Sequence, residues 1–488
     1  MKKIRILMSP SDLQGVGHFR SIWPAQSMEK HFSKEVEIEI NHAININNIE
    51  YLKGFDIIHF HRTLGDYDGL LELSKKLHDA GVLLILDIDD YWEPPITHPL
   101  FEIVKRDKIS EKIVSNLKLA HYITTTTDVF ARHVKPINEN VFVIPNALDM
   151  THRMWKSEVQ ENQTDKCRIS WIGGSSHLHD LMLVQESMIK LNNSAELENK
   201  YQFILCGFDT RGSITEMLPD GQRRTRPILP QETVWNQFEQ IFTSNGKLIK
   251  DQDYLKWLSK IKREDYLDQY KKNYVRRWTL PLTQYGKHYD YCDVCLSPLS
   301  EYETIKTLPT GEIVSPNDQR EGTISKRPHY FNEVKSELKV IESGMKKKVL
   351  IAQDFGAYKE YLKDGETGIL VSDNKKGWYK ALKQVILDKD YRESLANNLH
   401  EYVKEKYELK NVTEKRVEFY KDILEKHRAN KFSRPIDKVQ TMQKVETTPV
   451  VMKSNPIFAK DKINVQESLI SKVAKRNVNR SLAQRKKR

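Results

Sequence analysis

Two separate stretches of the chain share one layout, in which a short apolar strand leads through a glycine-containing turn into a helix. The first stretch has a strand at 3–8 followed by Gly15 and Gly17, and the second has a strand followed by Gly173 and Gly174. Strand and helix patterns alternate after each stretch, which favours a parallel sheet with helices on both faces. The sequence therefore predicts an α/β chain with two doubly wound, Rossmann-like domains.

Changes in pattern along the chain give the predicted domain boundaries. The first Rossmann-like domain is expected at 1–150 and the second at 165–395, with a helical insertion at about 209–277. Helices at 396–430 are expected to pack back on the body. The remaining residues, 431–488, have no regular periodicity and form a basic tail that is expected to be mostly disordered.

Charge is distributed unevenly along the chain. Its 488 residues include 78 Lys and Arg and 67 Asp and Glu, which gives a net charge of +11. The tail holds 15 of these basic residues and only four of the acidic ones, so the body is neutral. Within the tail, Ile470, Ala474, Val478 and Leu482 share a helical spacing, with basic residues on the other faces. The tail is therefore expected either to contact an anionic membrane surface or nucleic acid, or to stay unfolded and improve solubility.

The stretch 327–371 carries the most chemical information. It follows a long polar loop predicted at 301–326 and begins with one helix whose apolar residues form a stripe. The stripe consists of Val334, Leu338, Ile341 and Met345. Lys335, Lys339 and Glu342 repeat this spacing one residue later, about 100° around the helix. Two ammonium groups and a carboxylate are thus expected at the rim of the buried face, as a solvated ion pair or as an anion site.

This stretch resembles the donor site of the group 1 (family 4) retaining glycosyltransferases, which have the GT-B architecture, and in particular their capsule and lipopolysaccharide branch. The matching residues are Phe331, Asn332, Lys335, Ser336, Leu338, Lys339 and Glu342, followed by Asp354, Gly356 and Tyr358. The resemblance implies an enzyme that transfers a sugar from a UDP- or GDP-linked donor during polysaccharide biosynthesis, with Glu342 binding the ribose hydroxyls. Family members usually have a further glutamate where this chain has Val334, beside Glu333.

The resemblance also implies that the two domains face each other across a cleft, and it implies roles for residues elsewhere in the chain. The donor would lie in the second domain, and the residues expected to bind it are Glu342, Gly173, Gly174, Ser336, Glu333, Gly356, Lys326 and Arg327. The residues expected to take part in the reaction are Lys335, Lys339, Asp89, Asp90 and His18. The acceptor, a glycan, a lipid-linked saccharide or a protein, would lie in the first domain along Gly15, Gly17 and Arg20. Fixed cations and helix N-termini would stabilise the leaving diphosphate, so neither a metal nor another cofactor is expected.

The phosphate charge is expected to be shared among several side chains. After the second glycine turn, family members usually have a basic pair, and this chain has His177 and His179 instead. Lys326 and Arg327 are therefore expected to assist the lysines of the predicted helix. The two histidines are interpreted either as part of this site or as ordinary surface residues.

Three aspartates, Asp87, Asp89 and Asp90, directly follow the apolar run 82–86, which has the composition of a strand buried on both faces. Paired carboxylates can hold Mg²⁺ on a sugar nucleotide. These carboxylates lie in the first half of the chain, whereas the donor features lie in the second half. Acceptor binding or acid–base catalysis by Asp89 or Asp90 is therefore favoured over a metal site, with capping of the next helix as an equal structural alternative.

The four cysteines include one C-x-x-C pair, Cys292 and Cys295, without a second pair downstream. This spacing is interpreted as two small buried residues rather than a zinc or redox site. No apolar run approaches the ~18 residues of a membrane span, and the first residues lack a signal-peptide pattern. A cytoplasmic location is expected, with peripheral contact to the inner membrane face through the tail as an open option.

Two other functions remain open at this stage. One is a catalytically degenerate GT-B scaffold that serves as a binding or structural protein, which Val334 and the missing basic pair would favour. The other is a glycosyltransferase that modifies nucleic acid and is guided by the basic tail.

Overall fold

Six parallel strands form the first sheet of the protein, seen here in a computed structural model. The strands are β1 (Ile4–Ser9), β2 (Val36–Ile40), β3 (Ile57–His61), β4 (Leu83–Ile88), β5 (Tyr122–Thr125) and β6 (Val141–Val143). Their order across the sheet is β2-β1-β3-β4-β5-β6. Every residue of β3 and β4 is buried, as expected for central strands with helices on both faces.

The structure describes residues 2–65, 67–156, 165–209, 211–217, 222–228, 233–244, 273–372 and 376–429, all of which lie in one compact unit, Met1–Arg434. The predicted basic tail and its proposed contacts lie outside the described residues. Each helix within the described ranges is too short or too polar to cross a lipid bilayer.

Seven helices accompany the first sheet among the described residues. They are α1 (Gly15–Gly17), α2 (Trp23–Phe32), α3 (Ile49–Leu52), α4 (Tyr67–Asp79), α5 (Phe101–Arg106), α6 (Ile109–Leu119) and α7 (Asp128–Val134). A π-helical turn, His18–Ile22, joins α1 to α2. The turn and both helices form one continuous helical segment that starts at the first glycine turn.

The second half of the chain contains the strands β7 (Cys167–Ile172), β8 (Tyr201–Phe208), β9 (Ser213–Met217), β10 (Arg223–Pro227), β11 (Tyr274–Trp278), β12 (Val294–Ser297), β13 (Tyr302–Thr307), β14 (Ile313–Val314), β15 (Thr323–Pro328), β16 (Val349–Gln353) and β17 (Ile369–Val371). Six of them form a second parallel sheet in the order β11-β8-β7-β12-β16-β17. The predicted α/β class with two Rossmann-like sheets is therefore confirmed.

The helices of the second half are α8 (Leu178–Leu181), α9 (Gln185–Asn192), α10 (Trp235–Thr243), α11 (Tyr330–Glu333), α12 (Leu338–Met345), α13 (Gly356–Tyr361), α14 (Gly377–Leu387), α15 (Lys389–Tyr407) and α16 (Leu409–Arg428). Short 3₁₀ segments occur at Ser175–His177, Met182–Val184, Ala195–Leu197 and Leu282–Tyr291. We call β1–β6 with α1–α7 and α16 the first lobe, and the remaining elements the second lobe.

Two predictions about irregular segments are wrong. The stretch 301–326, predicted as a loop, forms most of a three-stranded antiparallel sheet in the order β14-β13-β15. Its first strand alternates exposed and buried residues, which is the period of a half-buried strand. The insertion at 209–277 is not purely helical, because its described part contains the β9–β10 hairpin as well as α10. Its last residues belong to β11, at the edge of the second sheet.

The single helix predicted to carry the apolar stripe from Val334 to Met345 is interrupted. Helix α11 ends at Glu333, α12 begins at Leu338, and the residues between them form a turn. The side chain of Asn332 donates hydrogen bonds to Asp180 Oδ1 at 2.8 Å and to the carbonyl of Ser300 at 3.1 Å. These bonds attach α11 to α8 and to the loop after β12. The predicted donor-site lysines therefore lie on two separate elements, Lys335 in the turn and Lys339 in α12.

The chain passes between the lobes twice, after β6 and between α15 and α16. The two connections are hydrogen-bonded to each other, since the amide of Leu148 donates to Tyr407 at 3.1 Å and that of Leu409 donates to Leu148 at 3.0 Å. Helix α16 then packs on the first sheet, where Tyr420 and Ile423 join the core. The last helix of the described chain thus belongs to the first lobe, whose strands all come from the amino-terminal part of the chain.

Candidate active site

The carboxyl ends of β3 and β4 bring together a cluster of charged side chains. Asp89 Oδ1 lies 2.8 Å from His61 Nε2 and accepts a hydrogen bond from Arg62 at 3.0 Å. Arg62 has a positive φ of 63°, which is rare for a residue with a side chain. Although burial alone would raise it, the pKa of Asp89 is held below its usual range by Arg62 and His61. Asp89 is therefore ionised and poorly suited to take up a proton near neutral pH.

Arg20, which was expected to line the cleft, is instead a buried structural residue. It is only 1% exposed, and its guanidinium donates to both oxygens of Asp87 at 2.7 and 2.8 Å. Its remaining amino group reaches the carbonyl of Ile144 and the side chain of Asn146. The prediction is corrected because every part of the guanidinium that could bind a ligand is already engaged inside the first lobe.

The first glycine turn is closed by its own aspartate. The carboxylate of Asp12 accepts the amides of Gln14 at 2.7 Å and of Gly17 at 3.2 Å. A Cβ at Gly17 would lie 1.8 Å from the carbonyl oxygen of Asp12, whereas one at Gly15 would meet no atom. The Gly17 amide is thus consumed within the turn, and Gly15 and the half-buried His18 remain next to open space.

The second glycine turn follows β7 and is tightly packed on one side. A Cβ at Gly173 would lie 2.7 Å from the ring of Trp171, whereas one at Gly174 would meet nothing. The next helical turn carries His177, whose Nδ1 lies 2.9 Å from Asp180. The buried Asp180 also accepts the amide of Ser300 at 2.8 Å. Gly174 therefore offers open backbone at the carboxyl edge of the second sheet, where ligands bind in such folds.

Lys335 lies on the boundary between the lobes. Its Nζ is 3.0 Å from Asp90 Oδ1 of the first lobe and 4.2 Å from the centre of the Phe331 ring. Asp90 also faces Arg62, at 3.5 Å. The ring of His98 lies 5.5 Å from that of Phe331, and burial together with Lys335 lowers its pKa. The predicted reaction residues Lys335 and Asp90 thus meet across the cleft.

Lys339 is held in a polar pocket of the second lobe. Its Nζ donates to Glu342 Oε2 at 3.0 Å and to the hydroxyls of Tyr285 and Tyr289 at 2.9 and 3.1 Å. Burial alone would lower the pKa of Lys339, but Glu342 and Tyr285 raise it. Burial raises the pKa of Tyr285 to about 12. The lysine is therefore charged and fixed by three oxygen acceptors.

Glu342 does not lie at the rim of the buried face, where it was expected. It is fully buried, and the hydroxyl of Tyr289 donates a short hydrogen bond to Oε2. Its other oxygen, Oε1, is buried without a hydrogen bond to the described residues. The structure thus confirms the Lys339–Glu342 ion pair and leaves one unsatisfied acceptor beside it.

The remaining predicted donor residues are dispersed. Glu333 lies 3.3 Å from His133 of the first lobe, and Gly356 has a φ of 55° with its backbone against Glu333. Ser336 is half-buried in the turn between α11 and α12. Arg327 pairs with Glu303 at 2.6 Å, and Lys326 is exposed on the neighbouring position of β15. Among the described residues, neither Lys326 nor Arg327 has a contact with Lys339.

Glu337 is a residue that the sequence patterns did not single out. It lies between Lys335 and Lys339, is fully buried, and has neither carboxylate oxygen hydrogen-bonded to a described residue. Burial raises its pKa to about 7. An acidic residue between two lysines looks like a solvated charge in the sequence, so no local signal indicates this burial.

Metal ligands are not grouped in the described part of the chain, where no three His, Cys, Asp or Glu side chains are placed to hold an ion. The sulfur atoms of Cys292 and Cys295 are 3.6 Å apart and buried. Burial raises the pKa of the Cys292 thiol well above its ordinary value. Both cysteines therefore have the surroundings of small core residues.

No family model and no curated protein matches the chain. Among solved structures, a glycosyltransferase from Rickettsia africae ESF-5 is 12% identical over 87% of this chain and 99% of its own, with a TM-score of 0.51. HepE from Anabaena, in complex with UDP, is 11% identical over 86% and 100%, with a TM-score of 0.48. Sucrose-phosphate synthase from Thermosynechococcus elongatus is 11% identical over 86% and 99%, also at 0.48. At these identities the first likeness establishes the GT-B fold and leaves function to the site.

Proposed function

We propose that the chain is a glycosyltransferase that moves a sugar from a nucleotide-diphospho-sugar to an acceptor hydroxyl. The observation that carries this proposal is the ion pair between Lys335 and Asp90, which joins the two lobes. The Lys339–Glu342 pair follows a few residues later in the chain, and the fold is shared with a glycosyltransferase. In this proposal the second lobe holds the donor and the first lobe holds a glycan, a lipid-linked saccharide or a protein.

Lys335 and Lys339 would stabilise the leaving diphosphate. Charge develops on the diphosphate as the bond to the sugar breaks, and fixed cations lower the barrier when they are already in place. Asp90 is the ionic partner of Lys335, and a diphosphate would take over the role of this carboxylate. The open backbone at Gly174 would contribute amide groups on the same side. Transfer with retention and without a metal is part of the proposal.

Glu342 would accept hydrogen bonds from the ribose. Its Oε1 is an acceptor without a hydrogen bond to any described residue, and buried acceptors of this kind are costly unless a ligand satisfies them. Because Glu342 is fully buried, the side chains around it would have to move for the ribose to reach Oε1, whereas the hydroxyl of Tyr289 occupies only Oε2. Lys339 would remain the ionic partner of this carboxylate, since its ammonium group donates to Oε2 at 3.0 Å.

Replacement of Glu342 tests the proposed donor site. Loss of hydrogen bonds to a charged group costs about 1.5–3 kcal/mol, so Glu342→Ala should lower kcat/KM by about tenfold to several hundredfold. The donor is first found by thermal shift with UDP- and GDP-sugars, with and without magnesium. Glu393→Ala, which removes a carboxylate that is 60% exposed, is the matched control. Wild-type turnover by Glu342→Ala at subsaturating donor would rule out the assignment, and NMR of the product decides the anomeric outcome.

A degenerate scaffold is the second candidate, favoured by one specific observation. Both predicted phosphate-binding lysines are already paired with carboxylates, and Glu342 is fully buried. Isothermal titration with UDP- and GDP-sugars separates the two functions, because a scaffold that has lost catalysis should show little donor affinity. Modification of nucleic acid guided by the tail remains a proposal that rests on the sequence of 431–488 alone.

A further inference from the structure

A pocket of about 320 Å³ lies beside the two connections between the lobes. Its walls come from α2, from the start of the first connection at 149–155 and from the second connection at 408–410. None of the predicted donor or reaction residues lines it. The volume lies in the range of about 300–1,000 Å³ that is typical of pockets for small molecules.

The apolar part of the pocket is aromatic. Trp155 and Leu409 are buried, and Trp23 is half-buried with its ring 4.7 Å from that of Phe19. Two indole rings thus contribute to one small cavity. Flat apolar surfaces of this kind bind ligands that have a flat apolar face of their own.

The polar part of the pocket carries equal numbers of opposite charges. Lys30 and Lys410 are exposed lining residues, and Asp149 and Glu408 are half-buried ones. The charges of these four side chains cancel. A purely apolar ligand would cover the half-buried carboxylates without giving them further hydrogen bonds, and a charged ligand would be attracted to one pair of side chains and repelled by the other. The lining therefore fits a neutral ligand with many hydrogen-bonding groups.

The two carboxylates are held in position by the first connection. Asp149 Oδ1 accepts the amide and hydroxyl of Thr151 at 2.7 and 2.6 Å, and Glu408 Oε2 accepts the amide of Met150 at 3.2 Å. Burial and the nearby Asp149 raise the pKa of Glu408. These contacts fix the acceptors before a ligand arrives, which lowers the entropic cost of binding.

We propose that this pocket binds a neutral saccharide at a site separate from the proposed donor cleft. A sugar ring has one apolar face that can lie on an indole, and its hydroxyls can donate to Asp149 and Glu408 while accepting from Lys30. The occupant would contact both connections between the lobes. It would therefore stabilise their arrangement and raise the melting temperature of the chain.

Binding of the probes is tested on the full chain without nucleotide, and a separate competition experiment adds a saturating nucleotide sugar. Methyl α-D-glucopyranoside, maltotriose and N,N′-diacetylchitobiose are the probes, with saturation-transfer NMR and isothermal titration as readouts. Lys30→Ala should raise the dissociation constant of the binding sugar about tenfold, as expected for the loss of one charge-assisted hydrogen bond. Lys34→Ala removes an exposed lysine just beyond α2, outside the pocket, and should leave the constant unchanged. Trp23→Ala should abolish binding, with circular dichroism to verify its fold.

Three results would overturn the proposal: no binding of any probe, equal binding by wild type and Lys30→Ala, or binding that a saturating nucleotide sugar displaces. The outcome is independent of the proposed transferase activity, because the probes are tested without donor. A chain that binds saccharide here and uses no donor would support the pocket and refute the enzyme. A chain that turns over donor and binds no probe would support the enzyme and refute the pocket.

Discussion

The buried Arg20–Asp87 pair joins the segment after the first glycine turn to β4. Removing one charge of a buried pair leaves the other uncompensated, which costs about 3–5 kcal/mol. We therefore expect Asp87→Asn to lower the free energy of unfolding by about that amount in urea denaturation. Glu37→Gln, in the exposed Arg5–Glu37 pair, should change it by less than about 1 kcal/mol. Equal effects of the two variants would contradict the structural role of Asp87.

Glu337 should make stability depend on pH. Its pKa is raised from the ordinary value of 4.5 to about 7 by burial, so the unfolded chain releases this proton at lower pH than the folded one. The higher proton affinity of Glu337 in the folded chain adds about 3 kcal/mol to the free energy of unfolding. This stabilisation is fully present below pH 4.5 and is lost as the pH rises towards 7. Glu337→Gln cannot ionise. The difference in unfolding free energy between variant and wild type should therefore grow in favour of the variant from pH 4.5 to 7.5, and a constant difference would refute this account.

The residue patterns in this sequence do not predict how deeply a charged side chain is buried. Helical spacing correctly places Lys339 and Glu342 on one face of α12. It does not show that Glu342 is buried, because its hydrogen-bond partner Tyr289 lies far away in the sequence. The same holds for Arg20, whose partners Asp87 in β4 and Ile144 just after β6 are also distant in the sequence.

The turn between α11 and α12 connects the donor side to the first lobe through Lys335. If a diphosphate replaces Asp90 as the partner of Lys335, substitutions of the two residues should have different effects on donor binding. Lys335→Ala should raise the KM for donor about tenfold, since it removes a charge-assisted contact to phosphate. Asp90→Asn should leave this KM unchanged or lower it.

Steady-state kinetics over a range of donor concentrations measure both variants. An increase in KM for Asp90→Asn similar to that for Lys335→Ala would contradict the proposed exchange of partners. A fall in kcat of about 10²–10⁴ for Asp90→Asn, at unchanged KM, is the signature of acid–base catalysis by this residue.

Helices and strands with a regular pattern of apolar residues could be predicted from the sequence, whereas the break between α11 and α12 could not. The buried strand β4 follows from the apolar run 82–86 alone, and the helices predicted at 396–430 correspond to the end of α15 and to α16. The break after Glu333 depends on Asn332, which bonds to Asp180 in α8 and to Ser300 in the loop after β12. The strands β13 and β15 have a visible two-residue alternation in part, but their polar composition resembles a loop.

At the scale of the whole molecule, the repeated strand–turn–helix layout was sufficient to predict two facing sheets. The pairs that close the cleft were not predictable, because Lys335–Asp90 and Glu333–His133 join residues from different lobes. Such pairs depend on how the lobes are placed, which no local pattern encodes. Fold therefore follows from the sequence more readily than the identity of the site.

The return of α16 to the first sheet has a practical consequence for dissecting the protein. Residues 1–150 contain all six strands of that sheet, yet Val417, Tyr420, Ile423 and Leu424 supply part of its core. An isolated amino-terminal fragment would expose the apolar surface that these side chains cover and would tend to aggregate. Splitting the protein into independently soluble halves thus requires transplanting 409–428 onto the amino-terminal piece, either by fusion or as a complementing peptide.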